Sequence, residues 1–228
     1  MKRFCKIAAF CLAFVMITIV AVGCGNKRNF DDSVAFVKAG CDKIITADVG
    51  NIFTYKTVMA EKQIEGLIED GSEETNVKFS RNGEDYDFLL RRYVYSGGEA
   101  AALVSQYSFE KVGETMVELV NGVGGLAESA PEIFTEVYLN FESADIESAQ
   151  VKDLGKGEWE YKFLMSEKFA NGFDREENGA NFDCTKVVLV YYVDVMSNLS
   201  NITKEYTYTF TYEGESQTVV EFFDIKTE

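Results

Sequence analysis

No histidine occurs in this chain of 228 residues. Histidine is the commonest general base near neutral pH and the commonest transition-metal ligand, so hydrolases that work through an imidazole and the usual catalytic zinc sites are excluded. Proline is nearly as scarce, with Pro131 alone. With no internal repeat and no low-complexity tract either, nothing marks a linker between two domains. Positive charge is also short: 22 basic residues face 38 acidic ones, for a formal charge of -16. A surface this acidic is repelled by phosphate backbones, which removes nucleic acid from the expected partners. The glycine-rich run Asn121 to Gly125 lacks the lysine, the preceding strand and the spacing of a phosphate loop, so it reads as a plain loop. No CxxC pair and no GxSxG or SxxK motif in a strand-to-helix setting is present.

What is there is globular: 46% apolar, 26% charged and 14% aromatic residues, enough to bury a sizeable core. The most specific signal is at the start. Lys2, Arg3 and Lys6 precede an uncharged stretch from Ile7 to Val22, which Ala21-Val22-Gly23-Cys24 closes. This resembles the lipobox of bacterial lipoproteins, although that pattern more often has Leu where Ala21 stands and a small residue where Val22 stands. The resemblance implies that residues 1–23 are a leader, that Cys24 is lipidated, and that 24–29 tether one extracytoplasmic domain, 30–228, to the cell membrane. An uncleaved membrane anchor, or plain secretion, remains as an alternative reading of the same stretch. Loss of the three leader cations leaves 19 basic residues against 38 acidic ones, a formal charge of -19. Of the five cysteines, Cys41 and Cys184 fall in the domain, where they could form one bridge or sit as two small buried hydrophobes.

Along the domain, Val34, Val37, Cys41 and Ile45 recur at helical spacing behind Asp31 and Asp32, which predicts a helix over Phe30 to Ile45. Asn51 to Met59 and Gln63 to Glu69 read as strands or short helix, and Asn76 to Tyr95 as a hairpin turning at Asn82-Gly83 and ending at Gly97-Gly98. Tyr107 to Asn121 fits a helix stopped by Gly122 or a strand pair. The second half alternates strictly. Trp159, Tyr161, Phe163 and Met165 share one face after the turn Gly155-Lys156-Gly157. Lys168 to Asn181 suits a helix-and-loop excursion. Lys186 to Met196 is apolar on both faces and reads as a central strand; Asn198 to Asn201 makes a polar turn; Tyr206, Tyr208, Phe210 and Tyr212 share the next face; and Thr218 to Ile225 closes a three-stranded meander after Glu213-Gly214-Glu215. The expected class is α+β, dominated by a curved antiparallel sheet packed against a few helices.

Asp85-Tyr86-Asp87-Phe88 after Asn82-Gly83, and Val190 to Asp194 leading into Tyr206 to Tyr212 and Val220 to Ile225, resemble the half-barrel of LolA-like and LppX-like envelope lipoproteins. That resemblance implies a sheet holding an apolar cavity under helices and carriage of lipids or lipid-like molecules. The opening helix followed by a long antiparallel sheet also resembles NTF2-like lipoprotein domains.

The residues singled out for binding are aromatic: Trp159, Tyr161 and Phe163 on one strand and Tyr206, Tyr208, Phe210 and Tyr212 on another. Rings with a few hydroxyls on a concave face suit an amphiphilic ligand, and they equally suit a packed core. No metal, cofactor or catalytic residue is expected. The adjacent carboxylates Asp31-Asp32, Glu69-Asp70, Glu73-Glu74 and Glu176-Glu177 are the wrong signal for glycoside cleavage, which needs two carboxyls facing across a cleft. The expected function is therefore a lipid-anchored, non-enzymatic binder of an amphiphile. The alternatives are an envelope sensor or protein-interaction module, and, further off, a carboxylate glycosidase of the cell wall.

Overall fold

Six two-residue turns fold the described residues back on themselves, within a sheet of 12 strands. In a computed structural model of the protein, the described residues are 30–62, 72–95, 102–129, 131, 134 and 136–228. Helix α1 spans Phe30–Ile45, the expected range. The strands are β1 (Val49–Ala60), β2 (Ser72–Asn82), β3 (Asp85–Tyr95), β4 (Ala102–Val112), β5 (Thr115–Val120), β6 (Val123–Leu126), β7 (Ile146–Gly155), β8 (Glu158–Met165), β9 (Arg175–Glu177), β10 (Ala180–Asp194), β11 (Leu199–Tyr212) and β12 (Glu215–Thr227), with a one-turn helix α2 at Glu167–Ala170. The spatial order is β6-β5-β4-β3-β2-β1-β12-β11-β10-β8-β7, with β9 also paired to β10. The sheet is antiparallel and open, and β12 closes the two halves of the chain together by pairing with β1. The class is the expected β-dominant α+β.

Several local expectations are corrected. The first hairpin turns at Gly83-Glu84, one residue later than expected, because Asn82 pairs with Asp85. Gly83 has φ +65°, which places glycine at the first central position of a II′ turn, where a Cβ is strained. Tyr107 to Asn121 is the hairpin β4–β5 and not a helix. Its apolar stripe fits either period, and the neighbouring strand β3 decides, through pairs such as Phe88 with Phe109. Asn121-Gly122 is a turn and Val123–Leu126 a strand, so the loop expected there is half strand. The helix-and-loop excursion before β10 is present over nearly the expected residues, with the short strand β9 as an addition. Gln63 to Glu69 and Gly97-Gly98 lie outside the described residues, as do the leader and Cys24.

Alternation sorts the side chains. On β8, β10 and β11 every second residue points to an inner face that carries the core, including Tyr161, Phe163, Leu189, Tyr191, Ile202, Tyr208 and Phe210, all at most 2% exposed. Helix α1 lies on this face over β7, β10 and β11. Val34, Val37 and Cys41 form its buried stripe. Gly40 is what allows the approach: a Cβ there would stand 2.9 Å from Leu199 Cγ and from the Ser197 carbonyl oxygen.

Candidate functional site

The seven aromatic residues singled out in the sequence separate into two clusters, because β10 runs between β8 and β11. Under α1, Tyr161 and Phe163 are completely buried. Phe163, Tyr191 and Phe141 form a triangle of rings with centroids 5.6 to 5.7 Å apart. Trp159 is half-buried and meets Phe36 of α1 edge to face. The Tyr191 hydroxyl donates to the Tyr138 carbonyl at 2.7 Å, and the Cys41 thiol reaches the same oxygen at 3.6 Å. This half of the inner face is packed core.

The β11 residues belong to a second cluster. Tyr206 packs on Phe173 at 4.7 Å and on Phe223 at 5.8 Å, and Phe182 bridges Tyr208 and Phe210 at 6.1 and 4.9 Å. Tyr206, Tyr208 and Phe210 are buried and Tyr212, at the strand end, is half-buried. Burial pushes the Tyr206 and Tyr208 hydroxyls well above the usual phenol range.

Charged groups that sequence reading did not single out stand among these rings. Glu221 on β12 forms an ion pair with Lys56 of β1 at 3.1 Å and accepts a hydrogen bond from Arg175 of β9 at 3.0 Å, both on Oε1. The Arg175 guanidinium lies over Phe182 and Tyr208, 4.4 and 4.5 Å from their centroids. Lys204 on β11 is 6% exposed. It faces Phe223, Tyr206 and Tyr138 at 4.2, 5.2 and 5.4 Å and pairs with Glu136 at 3.3 Å. Burial lowers its ammonium below the ordinary lysine range, against the opposing pull of Glu136. A signal for two of them was present in the sequence: Lys204 falls in the inward phase of Ile202, Tyr206 and Tyr208, and Glu221 in that of Val219, Phe223 and Ile225.

Past this cluster the inner face keeps an apolar row at lower burial, while toward the start of β2 it carries the ion pair of Glu73 and Arg92. Strand register puts Val77, Leu90 and Tyr107 in one row across β2, β3 and β4. These three, with Val58 and Phe223, are only partly buried against the core. The adjoining row of Phe79, Phe88 and Phe109 is buried, with Phe134 standing on Phe79 at 5.0 Å. A cleft of about 250 Å³ lies between the end of α1 and the start of β1, lined by Gly40, Ile44, Ala47, Gly50, Phe79 and Leu199 among others. That is below the roughly 300 to 1,000 Å³ of ordinary small-molecule sites.

Cys41 and Cys184 are free buried thiols and the bridge left open between them is not formed; burial pushes them up to about 12 and about 11. Glu73 and Glu74 part company, Glu73 pairing with Arg92 at 2.7 Å and Glu74 accepting the Tyr95 hydroxyl. Asp31 and Asp32 are exposed in the first turn of α1, and Glu176 and Glu177 are exposed on β9. Glu69-Asp70 lies outside the described residues. Among the described residues, no group of three or more Cys, Asp or Glu is placed to hold a metal ion.

No family model and no curated protein matches the chain. Among solved structures it is similar to the crystal structure of LprF from Mycobacterium bovis, at 10% identity and a TM-score of 0.40, over 87% of this chain and 92% of that one. A likeness at that level leaves function to be argued from the residues themselves.

Proposed function

We propose that this chain is a membrane-anchored, extracytoplasmic lipoprotein, without catalytic activity, whose sheet binds an amphiphilic molecule on the open part of its inner face. Residues 1–23 serve as leader, Cys24 carries the lipid, 24–29 form the tether and 30–228 the binding domain. The observation that carries the reading is the contrast within one face. Tyr161 and Phe163 on β8 and Tyr206, Tyr208 and Phe210 on β11 are sealed, whereas from β12 to β4 the same face keeps Phe223, Val58, Val77, Leu90 and Tyr107 at partial burial beside a group of charges. Apolar lining with a few convergent polar groups is the usual character of a site for lipid-like ligands. In this reading Tyr212 borders the ligand, while Trp159, Tyr161, Phe163, Tyr206, Tyr208 and Phe210 form the packed floor that holds the sheet in shape.

Ligand binding stabilises the native state by RT ln(1 + [L]/Kd), about 2.7 kcal/mol at a hundredfold excess over Kd. Thermal unfolding of the protein with a series of single-chain and two-chain lipids is therefore expected to show a concentration-dependent rise for at least one of them. A melting temperature that none of the series moves contradicts the reading.

A second reading, an interaction module, is favoured by the other end of the sheet. There Leu103, Val104, Val112, Val120, Val123 and Leu126 of β4 to β6 are each at least 50% exposed. Recovery of a defined envelope protein by cross-linking through β6, with no lipid effect on melting, supports this alternative.

A further inference from the structure

On a chain of formal charge -16, the middle of the inner face gathers cations. Lys56, Arg175 and Lys204 meet there. Among the described residues, Glu221 and Glu136 are the carboxylates in close ion pairs with them, at 3.0 to 3.3 Å. Glu177 stands farther off, 3.9 Å from Arg175, with 60% of its side chain exposed.

Glu221 is shared, since a single carboxylate oxygen serves both Lys56 and Arg175. An ammonium has three N–H donors and a guanidinium five, so donors remain beyond those taken by Glu221 and, for Arg175, by the Tyr208 hydroxyl. They are also reachable: 29% of the Lys56 and 33% of the Arg175 side-chain surface is exposed, against 10% for Glu221. Arg175 sits in the corner formed by the perpendicular rings of Phe182 and Tyr208, and a guanidinium is the side chain best suited to bidentate recognition of an oxyanion.

A second, independent observation lies in the same cross-strand row. Arg175 pairs with Phe182, Phe182 with Phe210, and Phe210 with Gln217. Both amide atoms of Gln217 are buried and have no hydrogen-bond partner among the described residues. Leaving a buried amide unsatisfied is costly, so this group calls for a polar partner, a water or a polar part of a ligand.

We propose that the molecule held on the inner face is an amphiphile with an acidic head group, carboxylate or phosphate, which docks against Arg175 and Lys56 while its chain follows the row of Val77, Leu90 and Tyr107. This rests on the amphiphile-binding reading above and narrows it to one chemical class. Placing the anion between these two cations adds a negative charge to that of Glu221, beyond the more exposed Glu177 on Arg175 and Glu73 across from Lys56.

The test is native mass spectrometry of the full chain in a non-ionic detergent, offered equal amounts of hexadecanoate and hexadecanol, and separately of a hexadecanoyl monoglyceride and its phosphate. At least tenfold more adduct is expected with the acidic member of a pair. Preference in the first pair alone identifies a carboxylate head group, and in the second alone a phosphate. In a Lys56→Gln, Arg175→Gln variant the acidic and neutral members are expected to bind equally, through the unchanged apolar row. Equal binding of acid and neutral partners by the unaltered chain overturns the head-group inference and leaves the amphiphile reading standing. Binding of neither member of either pair overturns the amphiphile reading itself. The unaltered chain alone decides both points, so the test holds even where the variant fails to fold.

Discussion

Lys204 and Phe223 are register partners on β11 and β12, and the lysine ammonium stands 4.2 Å from the centre of the phenylalanine ring. The cation is thus held on an aromatic face within a core, with Glu136, whose side chain is 54% exposed, as its charge partner. Desolvation of a charge in such a place costs more than a half-solvated pair returns. Lys204→Met keeps the volume, removes the charge and leaves Glu136 in water. It is expected to hold stability constant or raise it by about 1 kcal/mol. Glu221→Gln is the opposite case, because it leaves Lys56 and Arg175 facing each other, and a loss of about 2 kcal/mol is expected, moderated by the solvent both cations still reach. Urea unfolding of the two variants checks the sign of each.

Alkaline pH is expected to destabilise the fold through its buried phenols. Burial raises the hydroxyls of Tyr138, Tyr191, Tyr206 and Tyr208 above the ordinary value of 10.0. A group whose native value is raised contributes stability that is complete below its unfolded value and lost as pH rises through the native one. Lys204 acts in the other direction: its lowered native value makes the folded state shed a proton first, so stability gains as pH climbs toward 10.5. Four phenols outweigh one ammonium, so urea midpoints should fall above pH 10. Absorbance at the phenolate band should show these tyrosines ionising late in the native protein and together on unfolding.

Gly40 sets how closely α1 approaches the β10–β11 turn. Gly40→Ala puts a methyl against the Leu199 side chain and the Ser197 backbone, and backbone cannot move aside cheaply. The helix-propensity gain from alanine, roughly 1 kcal/mol, is expected to be outweighed by overpacking of about 1 to 3 kcal/mol. A lowered melting temperature is the result to look for.

Lipidation at Cys24 is checked in cells. Labelled palmitate should enter the unaltered chain and not the Cys24→Ala variant, and the variant should leave the membrane fraction. Unchanged labelling places the acyl chain elsewhere.

Much of the fold could be read from alternation. Trp159, Tyr161 and Phe163 on β8, and Tyr206 to Tyr212 on β11, announce their strands and their shared faces, and α1 runs over the residues its apolar spacing implies. Alternation says which face a residue occupies and not which neighbour it meets. The aromatic residues of β8 and β11 therefore suit one lining or one packed core by pattern, and only the insertion of β10 between them shows two clusters of rings. The central charges were hidden for the same reason. Arg175 lies 46 residues from Glu221, and Lys204 lies 68 from Glu136. Local pattern can flag an inward lysine at 204, but its partner arrives through strand order. The hairpin β4–β5 was ambiguous because Phe109, Val112, Met116 and Val120 satisfy a helical period, and pairing with β3 settles it from outside the segment.

The central claim is that the open inner face holds an amphiphile, and the most direct measurement asks what the protein already carries. The protein recovered from its own membrane, weighed by native mass spectrometry and then extracted with organic solvent, is predicted to yield a stoichiometric apolar molecule with an acidic head group besides the lipid on Cys24. A mass that corresponds to the lipidated chain alone, unchanged after exposure to envelope lipids, contradicts the account.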